Sequence, residues 1–143
     1  TCGGDVGLAS AMDYCRAPRC AASKLSELNI GIGPFVVGPA VARKLGVSGM
    51  SQIAIDANTF YSPEWAKDKG LFTHVYDSTE ALDEAVQATA EHLCTYNPEA
   101  MKEMKKIFWN GCDDWNTLLN ERAKVSGRLV LSEFTKEKLK RFA

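Results

Sequence analysis

Hydrophobic and polar positions along the chain change period twice, and the changes divide it into a mixed front section and a helical remainder. Leu8-Ala9-Ser10-Ala11-Met12 continues a helix that starts at the glycines Gly3 and Gly4. Asp13 to Ala17 and Ala22 to Leu25 then read as short extended segments around Pro18. Gly31, Gly33, Pro34, Gly38 and Pro39 follow too closely for one regular element, because glycine loosens it and proline removes a donor. This stretch is expected to be a shaped loop.

From Val41 the pattern is helical, with Val41 to Leu45 stopping at Gly46 and a second segment at about 48–57. Ser62-Pro63-Glu64 supplies a cap, an N1 proline and an acid at the next helix start, and Gly70 closes that helix ahead of a strand at 71–76. Asp77 and Glu80 form a capping-box-like pair before a long helix in which Leu82, Ala85, Val86, Thr89 and Leu93 share a face. Asn97-Pro98 opens a further helix, with Met101, Met104, Ile107 and Phe108 expected as core filler. Segments at about 113–131 and 132–142 end the chain, the last carrying a stripe of Phe134, Leu139 and Phe142. With one confident strand beyond residue 30, the chain by itself is not expected to complete a multi-stranded sheet.

Bulk properties narrow the function. The 143 residues are one domain's worth, and 45% hydrophobic with 24% charged residues is a globular balance. No apolar run is long enough to cross a membrane. A formal charge of −1, from 17 basic and 18 acidic side chains, gives no field for a nucleic acid backbone. The lysines Lys102, Lys105 and Lys106, and the run Lys136, Lys138, Lys140 and Arg141, read first as solvated helix faces. The 5 cysteines have no C-x-x-C or zinc spacing, so reduced thiols in a cytoplasm fit best and no metal is expected.

Two segments carry the chemistry. Thr1-Cys2-Gly3-Gly4-Asp5-Val6-Gly7-Leu8-Ala9 is a glycine turn entering a helix, where backbone N–H groups and the positive end of the helix dipole can stabilise an anion or developing oxyanion. Ser26-Glu27-Leu28-Asn29-Ile30-Gly31-Ile32-Gly33-Pro34 follows with an acid placed before a glycine-rich loop. The opening run lacks the G-x-G-x-x-G spacing of a dinucleotide site, and no G-x-S-x-G elbow exists for a serine nucleophile. His74 and His92 are expected to be structural or solvent-facing, and Trp65, Trp109 and Trp115 to be packing or interface anchors.

Together the two segments resemble the crotonase (enoyl-CoA hydratase/isomerase) family over essentially the whole chain, in the pattern of that family's second half. The resemblance implies an α/β fold: the second half of a crotonase-like ββα spiral in residues 1–57, then the last strand and a helical C-terminal, trimerisation region in 58–143. It implies an acyl-CoA-acting lyase or isomerase, closest in pattern to methylglutaconyl-CoA-hydratase-like members, forming a homo-trimer or dimer of trimers. Coenzyme A enters as part of the substrate and no separate cofactor is implied.

The resemblance also distributes roles. Gly4 falls at the oxyanion-hole amide and Glu27 at the general acid/base, while Gly3, Gly7, Asn29 and Gly31 shape the acyl site. Phe134 with Lys136 or Lys138 is implied to approach the coenzyme A of a neighbouring subunit. Asp5 stands where a third glycine is usual in the family. Gly7 stands where hydratases of the family place a second glutamate, so the chain resembles the single-glutamate branches. A catalytically silent acyl-CoA-binding or oligomerisation module is the alternative.

Overall fold

The computed structural model describes residues 1–140, so the expected contributions of Arg141 and Phe142 lie outside the described residues. Helix α1 (Gly4–Ala11) leads into strand β1 (Arg16–Pro18), a 3-10 turn (Glu27–Ile30) and helix α2 (Gly38–Ile55). Helix α3 (Pro63–Asp68) and strand β2 (His74–Tyr76) follow, then helices α4 (Thr79–Thr95), α5 (Pro98–Phe108), α6 (Trp115–Val130) and α7 (Glu133–Leu139). The strands pair in parallel, with Arg16 opposite His74, Ala17 opposite Val75 and Pro18 opposite Tyr76.

Local chemistry explains most boundaries. Ser62 caps α3 by accepting from the Trp65 N–H at 3.1 Å, with Pro63 at the first position where its missing donor costs nothing. Gly70 and Gly111 turn the chain in the left-handed region, φ 86° and 80°, at or just beyond the ends of α3 and α5. Gly46, φ 70° and ψ 167°, breaks the hydrogen-bond run inside α2, so the two expected helical segments form one element with a kink.

Four expectations change. Gly38 and Pro39 open α2 rather than ending a loop, since proline is tolerated in a first helical turn. The stretch 22–25 makes only isolated bridges, Cys2 with Lys24 and Ser23 with Tyr61, and the strand at 71–76 shortens to His74–Tyr76. Ser78, not Asp77, caps α4, accepting from the Ala81 N–H at 3.1 Å; Asp77 instead receives the Arg19 guanidinium at 2.6 Å. A hydroxyl one residue nearer the helix wins because an arginine already occupies the carboxylate.

The fourth concerns the core. Val6, Ala17, Leu25, Val41, Leu45, Ile53, Tyr61, Ala66, Leu71 and Phe72 form one buried cluster, all from the front of the chain. Helices α4, α5 and α6 bury no residue fully, and the expected filler on α5 lies outside: Met104 is 50% and Ile107 72% exposed. Polar contacts tie α4 and α5 to the front of the chain instead. Arg16 donates to Ala85 O and to Thr89 Oγ1 on α4, while its guanidinium lies over the Tyr14 ring at 5.0 Å. Asp13 receives Lys105 and, at 2.7 Å, the Trp109 indole N–H, and Arg43 stacks over the same indole at 4.2 Å. Burial works against ionisation of Asp13, but these donors and the lysine charge outweigh it and hold its carboxyl below the usual range.

The cap reassignment is testable by differential scanning calorimetry. Ser78→Ala is expected to cost about 1 kcal/mol, whereas Asp77→Ala, which breaks a solvent-exposed pair, lowers the melting temperature less.

Candidate active site

Two backbone hydrogen bonds stitch the opening turn to the segment that carries the candidate acid. Gly3 N donates to Lys24 O at 2.9 Å and Lys24 N to Thr1 O at 3.1 Å. The chain then enters the 3-10 turn, which places Glu27 over the start of α1. Gly3 sits at φ 53° and ψ −115°, a conformation open to glycine, and a Cβ built there would lie 3.3 Å from Glu27 Oε1. The glycine is therefore required twice, for the turn and for the carboxylate's approach.

The helix start leaves one donor free. Asp5 N donates to Cys2 O, and Val6 N and Gly7 N both donate to Gly3 O. Among the described residues the Gly4 N–H meets no protein acceptor, and the space a Gly4 Cβ would enter is open to 4 Å. An unpaired amide at a helix N-terminus carries the partial positive charge that suits a developing oxyanion. Asp5 is exposed on the same first turn.

Glu27 is half-buried, and its Oε2 is shielded from solvent without a hydrogen-bond partner among the described residues. Burial pushes its carboxyl above the usual glutamate range, opposed only in part by its own backbone N–H. A raised carboxyl is a better proton acceptor than an ordinary glutamate once ionised, which suits it to general acid/base work. The turn beneath it is well tied: Ile32 N donates to Glu27 O at 3.2 Å, and Gly31 N is shared between Glu27 O and Leu28 O.

The other expected site residues divide. Gly31 closes the turn at φ 85°, where a Cβ would meet Phe134 Cδ1 at 2.4 Å and Thr135 Oγ1 at 2.7 Å. The Asn29 amide donates to Ala57 O at 2.9 Å, which pins the turn to the segment just after α2. Phe134 lies on Gly31 of its own chain. Lys136 pairs with Glu133 at 2.8 Å, and the Lys138 ammonium stands 5.6 Å from the Phe134 ring centre. An open groove of ≈ 350 Å³ is lined by Glu133, Phe134, Glu137 and Lys138. His74 is exposed, with Nδ1 3.3 Å from the Tyr14 hydroxyl.

Gly7 has a steric cause. It is buried, and a Cβ there would lie 2.5 Å from Val37 Cγ1 and 2.8 Å from Val37 Cβ. No side chain can leave position 7 while Val37 keeps its place. Val37 and Thr135 were not singled out in the sequence, since a valine before a helix and a threonine on a charged one carry no local signal.

Comparison with solved structures places this geometry in a class. A structure of enoyl-CoA hydratase/isomerase from Pseudoalteromonas atlantica T6c superposes with a TM-score of 0.87 at 16% identity, covering 99% of this chain and 57% of that one. An enoyl-CoA hydratase from Mycobacterium avium gives 0.88 at 20% identity, covering 98% and 55%. A carnitinyl-CoA dehydratase from Mycobacterium avium 104 gives 0.80 at 24% identity, covering 99% and 56%. The fold is thus the crotonase-like one, and the chain spans little more than half the length of these neighbours. Residues 1–142 match the enoyl-CoA hydratase/isomerase family model, and the chain belongs to that family. No curated protein sequence matches it.

Two substitutions probe the packing. Gly7→Ala is expected to destabilise by about 1–3 kcal/mol through overpacking, with most of the loss recovered in Gly7→Ala/Val37→Ala, as read by urea denaturation. Glu27→Gln acts oppositely. With its folded pKa raised, ionising Glu27 favours the unfolded chain, so wild-type stability falls as pH rises from the unfolded value through the folded one. The variant should therefore melt higher than wild type at pH 7, and the difference should vanish below about pH 4, where glutamate is protonated in both states.

Proposed function

We propose that the chain carries the acid/base half of an acyl-CoA lyase or isomerase, with Glu27 as the single carboxyl acting on the carbon beside the thioester. The observation that carries this reading is the approach of the half-buried Glu27 carboxyl to Gly3, next in sequence to the unpaired Gly4 N–H on the same opening turn. Glu27 takes the proton from that carbon while the electron pair moves onto the thioester oxygen. The Gly4 N–H donates to that oxygen as charge builds. The same carboxyl then returns the proton, to the carbon two bonds further along in an isomerisation. Hydration needs a separately positioned water, and the contact of Val37 with Gly7 leaves no room for a carboxylate to do so from position 7.

The finer assignments follow from the family. Coenzyme A is the handle of the substrate, with no further cofactor, and a methylglutaconyl-CoA-hydratase-like specificity is the subtype proposed. A homo-trimer or dimer of trimers is supported by the bare apolar positions Met104, Ile107 and Leu131 on and after the C-terminal helices. A cytoplasmic setting is supported by five free cysteines. No described helix is long and apolar enough to cross a membrane.

Isomerisation of 3-butenoyl-CoA and deuterium exchange into butyryl-CoA test the assignment in the full chain. Glu27→Gln is expected to lose about 10²–10⁴-fold in rate. Gly4→Pro replaces the N–H with a ring carbon at a position where helices accept proline, and is expected to lose at least about 10²–10³-fold while folding normally. Normal turnover in Glu27→Gln would falsify the role given to that carboxyl. Stabilisation by coenzyme A without any turnover would instead identify a silent acyl-CoA-binding module.

A further inference from the structure

We infer that α7 is a positioning element for Glu27 of its own chain, acting through Phe134 and Thr135 seated on Gly31. The inference rests on the assignment of Glu27 as the acid/base.

The contact is close and has little freedom. The faces of Phe134 and Thr135 come so near the Gly31 backbone that a methyl group there would overlap both. Thr135 is fully buried although its helix is otherwise mostly exposed, and its hydroxyl and N–H both meet Ser132 Oγ, at 3.2 and 3.3 Å. The cap of α7 thereby fixes the residue that presses on the turn. Apart from this threonine, no residue of α4 to α7 is fully buried, so the C-terminal region reaches its deepest burial against the segment carrying Glu27.

From Gly31 the constraint passes to Glu27 through the main chain. The Gly31 N–H is shared between the carbonyls of Glu27 and Leu28, and the next N–H, from Ile32, also goes to the Glu27 carbonyl. On the other side Asn29 ties the same turn to Ala57. The turn is held between α2 and α7, and its one ionisable side chain is directed under cover toward Gly3. The charged groups on the surrounding elements do not explain this state. Asp5 on α1 is exposed, Glu133 and Lys136 on α7 pair with each other, and Lys138 faces the Phe134 ring; the raised Glu27 carboxyl arises from burial.

Phe134 is 60% exposed, which is unusual for a large side chain whose inner edge is in such tight contact. Truncating it should therefore release the seat without emptying the core. A phenylalanine kept only for stability has no reason to influence a carboxyl on another element.

The test uses carbon-13 NMR of glutamate side chains in the full chain, with Glu27 assigned by the signal missing in Glu27→Gln, alongside 3-butenoyl-CoA isomerisation kinetics. In Phe134→Ala the Glu27 titration midpoint is expected to move down toward that of an ordinary glutamate. At the same time kcat should fall ~10- to 100-fold with KM little changed, the signature of a misplaced group. Phe134→Leu, which keeps an apolar contact on Gly31, should restore most of both. An unmoved Glu27 midpoint in Phe134→Ala overturns the inference whatever the kinetics show. Retained turnover in Glu27→Gln overturns the acid/base reading separately, and leaves the midpoint to report on the seat.

Discussion

The site depends on a pair of main-chain hydrogen bonds between residues distant in sequence, from Gly3 to Lys24 and from Lys24 back to Thr1. They set the register between a helix start and an acidic turn, and a register fixed by backbone groups tolerates wide variation in side chains. Gly3 and Gly4 then act for different reasons. The first makes the turn and admits the carboxyl, while the second leaves an amide unpaired. Only because the following amides are satisfied by Cys2 O and Gly3 O does the free one stand alone.

The rest of the chain serves this arrangement unequally. Apolar burial is concentrated before residue 73, where α1, α2 and the strand pair enclose the core. Beyond it, helices are attached by cations and indoles rather than by packed aliphatic faces, through Arg16, Arg43, Lys105 and Trp109. Exposed ion pairs contribute little to stability, so α4 and α5 depend heavily on the partly buried members of these sets. Arg16 illustrates the cost: its Nε is buried without a partner even as its terminal nitrogens bond to α4. Against this background the complete burial of Thr135 on α7 stands out, since it falls at the acidic turn and not at the core.

How much of this could be read from the sequence depends on the range of the interaction involved. Caps and stops written in adjacent residues, such as Ser62-Pro63, Asn97-Pro98 and Gly70, were legible because their chemistry is local. Asp77 misled because the Arg19 side chain that claims it lies far away in sequence. The methionines of α5 showed a helical period, but periodicity reveals a shared face and not what covers it. At the site, Glu27 and Gly4 were visible as residue types in a motif. The hydrogen bond from Asn29 to Ala57 and the contact of Phe134 with Gly31 of the same chain required coordinates, because both are meetings of distant segments.

Gly7 joins the two scales. A glycine in a helix near an anion site could mean a missing functional group, free to be supplied by another residue. Its distance to Val37 argues otherwise, for the position is occupied by hydrocarbon and not by space. A carboxylate at position 7 would have to displace Val37 and would be buried against hydrocarbon, at a cost in free energy. The lack of a second carboxylate is thus set by packing between α1 and the residue preceding α2. An exchange at position 7 alone would not supply a carboxylate while Val37 keeps its place.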